Sequence, residues 1–377
     1  MRRVRILAQC RKELLQFRRD RLTLGLAFLL PLLTLLIFGF AIRLETKVIP
    51  IVVQDFDRSP LSAAYTDRLF ATDQFQPAPW RGSGDPVAGA IDRGLAKAAV
   101  IIPPEFSRRL KAGQPVEVQV LVDGTDANNA RVIRNSIQGT TAFFLAEKEL
   151  LNDPPPVRAL TRLWFNPGRK ESLYIVPGVY AVVLWIFPSL LAAIAMVKEK
   201  DKGTILQVYA SGISAPELLL GKALAYLLVG GSEAVVVMGM GGLIFRLSFA
   251  GDPTPLLVGT TLYLAAAVLF GLLLGVRSAS QNAAVQGVSL VGFLSALLLS
   301  GFIYPLSNIP PPLSLVSALI PARYFIVISR DAFVRGTGWA GVWLDVLMIL
   351  VLGALLVGAT WRSLGSLQLA DGGEGGP

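Results

Sequence analysis

The sequence predicts an α-helical polytopic membrane protein: six transmembrane helices, with an inserted extracytoplasmic α/β domain between helices 1 and 2. Three observations carry this. The 377 residues are 53% hydrophobic and only 16% charged, whereas a soluble globular chain carries about 25% charged residues. The deficit falls in apolar runs of roughly 20 residues, long enough to cross a hydrocarbon core of about 30 Å. One long stretch, residues 43–172, has no such run and reads as soluble α/β sequence.

Residues 1–21 form the first element. Arg2, Arg3, Arg5, Arg11, Lys12, Arg18, Arg19 and Arg21 face only Glu13 and Asp20 in charge, while Val4, Leu7, Leu14 and Phe17 recur at helical spacing. This predicts a cytoplasmic amphipathic basic helix lying on an anionic membrane surface. Residues 22–42 are transmembrane helix 1, kinked at Pro31. The apolar stretch exceeds the 7–15 residues of a signal-peptide core, so it reads as an uncleaved anchor.

Within residues 43–172, Val48–Val53, Ala98–Ile102 and Val116–Val122 have strand character. Ser62–Phe70, Pro86–Lys97, Pro104–Lys111 and Ala127–Leu150 read as helices, and Asp153-Pro154-Pro155-Pro156 breaks the last of them. Following a positive-inside helix, this domain is expected outside the cytoplasm. A five-helix domain, residues 173–361, then has spans near Tyr174–Val197, Leu218–Phe245, Leu256–Val276, Ala283–Tyr304 and Gly341–Trp361. Residues 305–340 hold an apolar stretch too short to span, and read as a re-entrant or interfacial pair of short helices. Residues 362–377 are a cytoplasmic tail, so both termini are expected in the cytoplasm.

Composition also excludes. The net charge of +9 follows from Lys and Arg gathering in cytoplasmic segments, and no aromatic-interleaved basic groove points to nucleic acid. There is no His, which removes the usual general base, the Ser-His-Asp triad and His-ligated metals. The single Cys10 excludes an internal disulfide and a thiolate zinc site, and reads as an ordinary small apolar residue. No catalytic, cofactor or metal residue is expected on this chain.

The stretch with most functional content is Lys198–Lys222. Lys198, Glu199, Lys200, Asp201 and Lys202 form a charged cluster at the cytoplasmic end of the second span, and Gly203-Thr204 lets the chain turn. Ile205, Leu206, Val208 and Tyr209 give an apolar side to a short helix, and Ser214 with Glu217 makes a capping box that starts the next helix. Such a helix is shaped to receive a push from a cytoplasmic partner; the alternative is an ordinary loop whose lysines only orient the protein.

Glu233 falls in mid-span. A charge there costs at least about 2.5 kcal/mol on insertion scales for Asp, Lys or Arg. It is a transport-path or coupling residue, or a structural acid bonded to a neighbouring helix. Gly271-x-x-x-Gly275, and Gly239, Gly241 and Gly242, permit close helix approach. Arg323, Arg330 and Asp331 line an outer gate, attract an anion, or pair with one another, an Arg–Asp pair being expected. Tyr324 and Phe325 are expected as interfacial anchors.

The order of one span, an outer domain and five spans resembles the permease subunit of bacterial type-2 ABC transporters of the exporter kind. KEKDKGT is similar to that family's charged segment ending in Gly-Thr. Ser300–Gly336, SGFIYPLSNIPPPLSLVSALIPARYFIVISRDAFVRG, resembles the family's stretch before its last span, with Pro321-Ala322-Arg323-Tyr324 its most specific piece. DFDRSPLS, Asp55–Ser62, resembles the opening of the family's outer domain. Lys198-Glu199-Lys200 stands where the family often has an Arg-Glu-Arg type of cluster, which keeps the charge order and loses the Arg forks.

The resemblance implies an ATP-driven exporter in the bacterial inner membrane, with ATP bound on a separate ATPase subunit that contacts Glu199–Tyr209. It also implies pairing with a second or homologous permease. A Walker A loop is absent: Gly221-Lys222 is followed by Ala223 at a membrane entry. A periplasmic adaptor and membrane lipids are further possible partners. The alternatives are a membrane-anchored sensor or scaffold whose outer domain binds a ligand, and a proton-coupled secondary transporter using Glu233.

Overall fold

The computed structural model describes residues 3–41, 48–72, 74–78, 86–124, 127–148, 165–166, 170–201 and 213–371. The chain divides into two compact units, Met1–Ile42 with Arg162–Pro377, and Arg43–Thr161. The helical unit begins with α1 (Arg3–Arg19) and α2 (Arg21–Ala41). Only Asp20 separates them, and its carboxylate accepts the Thr23 N–H at 3.2 Å, capping α2. The apolar helix α2 buries a single narrow face, Ala27, Pro31 and Leu35, at four-residue spacing.

The inserted unit runs β1 (Ile49–Asp55), α3 (Pro60–Phe70), β2 (Phe75–Pro77), α4 (Pro86–Asp92), β3 (Ala98–Ile102), α5 (Phe106–Lys111), β4 (Gln119–Val122) and α6 (Ala127–Glu147). Its sheet order is β2-β1-β3-β4. The first two pairings are parallel and the last antiparallel. The central strands β1 and β3 are Val-, Ile- and Ala-rich because helices cover both faces. At the end of β1, the Asp55 carboxylate accepts the N–H groups of Asp57 and Arg58 at 2.9 and 3.1 Å. Ser59 and Ser62 then cap α3 reciprocally. Tyr65, Phe75, Phe106 and Phe144 fill the core.

Apart from small shifts at element ends, three differences from the sequence expectation stand out. Strand β2 is an addition to it, being three residues with only Phe75 buried. Helix α4 ends at Asp92 rather than Lys97, because Gly94 adopts φ +69° and the N–H groups of Leu95 and Ala96 both turn back to the Ala90 carbonyl. Strand β4 starts at Gln119 rather than Val116, since β3 offers ladder partners only as far as Ile101.

The helical unit resumes with α7 (Ser172–Asp201), α8 (Ala215–Phe245), α9 (Thr254–Arg277), α10 (Gln281–Leu298), α11 (Leu313–Ala318), α12 (Pro321–Arg330) and α13 (Trp339–Asp371). Helices α2, α7, α8, α9, α10 and α13 are long and apolar enough to cross a membrane. The hub is α7: 83% of its most apolar window is buried, against 17–50% for the other five. Helix α9 lies directly on it. A Cβ on Gly271 would collide with the Ser189 carbonyl, and one on Gly275 would stand 2.7 Å from that of Ala193. Tyr263 also donates to the Ala181 carbonyl at 2.6 Å. Of the glycines expected to allow close approach in α8, Gly241 meets the Tyr180 ring, whereas Gly239 has nothing within 4 Å.

Helix α10 ends at Leu298, short of Tyr304, and contains a π-helical turn over Val288–Phe293. Two short helices, α11 and α12, occupy the segment before α13. Phe325 on α12 is fully buried and stacks on Tyr263 with ring centroids 4.2 Å apart. It is a core residue, not an interfacial anchor, because α12 turns its apolar face onto α7 and α9.

Candidate functional site

The expected contact loop is bounded by the end of α7 and the start of α8. Gly203, Thr204, Leu206 and Tyr209 lie outside the described residues, and Lys200 is described in its backbone alone, as helix. What the structure displays is how the two roots of that loop are held. Glu199 on α7 and Lys222 on α8 are both buried, at 6% and 0% exposure. Their partners come from α1.

Helix α1 does not present its polar side to water throughout. Gln9, Cys10 and Glu13 face inward and are buried, while Val4 and Leu7 are exposed. Lys222 Nζ donates to Glu13 Oε1 at 2.8 Å and to the Ala195 carbonyl at 3.2 Å. It also lies 3.2 Å from Glu199 Oε1, which accepts from Lys12 Nζ at 2.7 Å. Gln9 Nε2 donates to Glu13 at 3.0 Å, and the Tyr226 hydroxyl stands 3.5 Å from its other oxygen. Two carboxylates and two ammonium groups thus balance where three helices meet, with Glu13, Lys222 and Glu199 enclosed and Lys12 reaching in from the surface. Burying an ion is tolerable only when it is paired and hydrogen-bonded in this way.

Close packing brings α1 to α8. A Cβ on Gly221 would stand 2.7 Å from the Gln9 side chain, so Gly221-Lys222 is a packing pair. Beside it, Arg5 lies 3.7 Å from Glu217. The Ser214 N–H donates to the Glu217 carboxylate at 3.1 Å, one half of the capping box that the sequence predicts. Lys198 pairs with Asp20 at 2.8 Å on the more exposed side. The hydrogen bonds from Lys198 and Thr23 hold the Asp20 carboxyl well below its ordinary range. Burial, with Glu13 nearby, pushes the Cys10 thiol up.

The remaining expected residues do not join this cluster. Glu233 is fully buried on the α8 face that also carries Ala234 and Val237, and neither carboxylate oxygen has a hydrogen-bond partner among the described residues. Arg323, Tyr324 and Arg330 sit at the other end of α7. Twenty-five residues of helix separate Tyr174 from Glu199, or about 38 Å. Arg323 donates to the Ser317 hydroxyl at 3.3 Å, and Tyr324 to the Ala318 carbonyl at 2.8 Å. The Arg330 guanidinium lies 3.7 Å from the Tyr174 ring centroid and donates to the Gly301 carbonyl at 3.3 Å.

The expected Arg–Asp pair is not formed. Asp331 instead accepts the Thr337 hydroxyl and the N–H groups of Thr337 and Gly338 at 2.6, 3.2 and 2.9 Å. Adjacent helical residues point in different directions, so Arg330 and Asp331 serve different neighbours.

Sequence reasoning singles out Glu199 and Lys198 but misses Gln9, Lys12, Glu13, Asp20 and Tyr226. The available signal is spacing: Gln9 and Glu13, and Lys222 and Tyr226, are each four residues apart, which puts a polar stripe on each helix. The arrangement holds no nucleophile–base pair. Among the described residues, no group of three His, Cys, Asp or Glu could hold a metal ion. What it can do is mechanical: fix the two roots of one loop to a third helix.

Residues 21–362 match a family described as ABC-2 family transporter protein. The chain is 26% identical over 361 residues to the "Probable multidrug ABC transporter permease YbhS" of Escherichia coli K12, covering 95% of this chain and 96% of the relative. It is 27% identical over 347 residues to the "Probable multidrug ABC transporter permease YbhR" of the same organism, covering 91% and 94%. The "Inner membrane transport permease YhhJ" of that strain is 27% identical over 342 residues, covering 85% and 89%.

Proposed function

The chain belongs to the ABC-2 transporter family and is a multi-pass membrane permease; from that premise we propose that it forms half of the membrane path of an ATP-driven exporter. It works in the bacterial inner membrane with both termini in the cytoplasm and the unit Arg43–Thr161 outside. ATP is bound and hydrolysed on a separate ABC ATPase, in keeping with the missing Walker A loop. The permease pairs with a second copy or a homologous chain. Substrate leaves the cytoplasm or the inner leaflet. Membership of a permease family leaves the sensor reading without support, and the ABC class leaves no need for proton drive through Glu233.

The observation that carries the coupling reading is the buried Glu13–Lys222–Glu199 cluster, with Lys12 pairing to Glu199 from its surface side. It ties both roots of residues 202–212 to α1, so a force on that loop moves three helices together instead of bending one. On this reading Lys198, Glu199, Lys200, Gly203, Thr204, Leu206 and Tyr209 form the face that the ATPase pushes. Glu233 lies along the path, with Arg323, Tyr324 and Arg330 at its outer end.

The test is purification of the tagged full-length chain from its host's membranes, with vanadate-sensitive ATP hydrolysis measured in the product. Wild type carries that activity with it. The double variant Leu206→Ala/Tyr209→Ala, extracted in equal amount and with unchanged melting temperature, retains less than about a tenth. Undiminished copurifying hydrolysis in the variant sinks the assignment of this loop.

A further inference from the structure

We infer that the unit Arg43–Thr161 carries a binding site for an anionic amphiphile, a molecule with an apolar body ending in one acidic head group. The site is a cavity of about 810 Å³ whose lining, among the described residues, comes from that unit alone. Ligand pockets span roughly 300–1,000 Å³ and are mostly apolar with a few convergent polar groups. Every residue used here lies outside the α1–α7–α8 cluster, so the site does not depend on the coupling reading.

The cavity follows from the early departure of the chain from the sheet. Strand β4 pairs only from Gln119 onward. Residues 114–118 therefore run free of the ladder, yet Val116, Val118 and Val120 keep their alternation and line the cavity. Helix α6 closes the opposite side. Phe106, Ile137 and Phe144, each under 5% exposed, form its floor. This floor is deep enough to take an apolar body out of water, at about 25 cal/mol per Å².

The rim selects the head group. Gln114, Arg134 and Gln138 line the same cavity and are exposed. Arg134 and Gln138 are four residues apart on α6 and so share one face. Among the described residues, no Asp or Glu lines the cavity. Arg134 is in none of the ion pairs found among the described residues of this unit, which join Arg68 to Glu147, Lys97 to Asp123 and Arg108 to Glu105. A rim guanidinium flanked by two amides suits a carboxylate, sulfate or phosphate, because its planar donors match such oxygens. It repels a cation.

The single cysteine of the chain makes this testable. Full-length Cys10→Ala/Val118→Cys is placed in nanodiscs of zwitterionic lipid, and its rate of maleimide labelling is followed. The probes are dodecanoate and dodecyltrimethylammonium, compared at equal free concentration. The expected result is rapid labelling without probe and at least fivefold slowing by dodecanoate. The cationic probe has no effect, and Arg134→Gln raises the dodecanoate concentration needed by about tenfold. Absence of protection by dodecanoate overturns the site. Equal protection by both probes overturns the anionic head group. A thiol at position 118 that is already unreactive without probe overturns the proposal too, since another part of this chain then fills the cavity.

Discussion

The two ends of α7 both bury charge, and they do it differently. At the Glu199 end, four charged side chains from three helices neutralise one another, with Lys222 wholly enclosed. At the Tyr174 end, Arg330 rests on an aromatic face and one carbonyl, while Asp331 beside it is satisfied by the turn that starts α13. The first solution is shared: the ion pairs run between helices, so breaking one leaves charge uncompensated on more than one of α1, α7 and α8. The second is local in that the two charges share no partner: Asp331 is held by the turn after it and Arg330 by the Tyr174 ring and the Gly301 carbonyl, so either can shift without stranding the other. A charge cluster across helices transmits displacement, whereas a cation on an aromatic ring anchors a turn.

The largest test of this contrast is Lys222→Met. It leaves Glu13 and Glu199 buried against each other, and removing one partner of a buried pair costs about 3–5 kcal/mol. The expected result is a large fall in melting temperature in detergent, with α1 becoming accessible to protease. Adding Glu13→Gln should recover a substantial part of the loss, because the stranded charge is gone. If Lys222→Met alone melts like wild type, the cluster does not bind the helices together.

The Tyr174 end should respond less. Arg330→Met keeps an unbranched apolar stem and removes the cation–π contact, worth about 0.5–2 kcal/mol. Arg330→Lys should restore part of the difference, whereas Lys222→Arg should not rescue a site with no room for a fork. Equal losses for Arg330→Met and Lys222→Met would erase the distinction between shared and local compensation.

How much of this is legible depends on whether a feature is local. Six spans are readable because twenty apolar residues in a row are a property of each segment by itself. The α/β character of Arg43–Thr161 is readable for the same reason in β1 and β3, whose β-branched runs need no partner to be recognised. Strand β2 is not, since Phe75–Pro77 becomes a strand only by lying against Ile49–Ile51. The site is half legible. Charge marks Lys198 and Glu199, but Glu13 is 209 residues from Lys222, and in a helix whose other charges are all basic it reads as one more solvated group. Only packing at Gly221 turns that face of α1 inward. Arg330 and Asp331 mislead in the opposite direction, since adjacency in sequence suggests a pair that helix geometry forbids.

The smallest effect concerns an exposed pair beside that cluster. Asp20 and Lys198 join α1, α2 and α7 at 2.8 Å with both side chains about a third exposed. Exposed pairs contribute only about 0.2–1 kcal/mol and weaken with salt. The folded protein holds the Asp20 carboxyl below its ordinary value of 3.8, through the bonds from Lys198 and Thr23. A carboxyl depressed on folding binds fewer protons folded than unfolded, so its contribution is complete above the unfolded value and is lost as pH falls below it. The melting-temperature difference between wild type and Asp20→Asn should therefore be small and constant from about pH 5 to 8. It should shrink on acidification below about pH 4 and with added salt. A difference as large as that of Lys222→Met, or one unchanged by acid, would place Asp20 inside the shared cluster and move its boundary out to the start of α2.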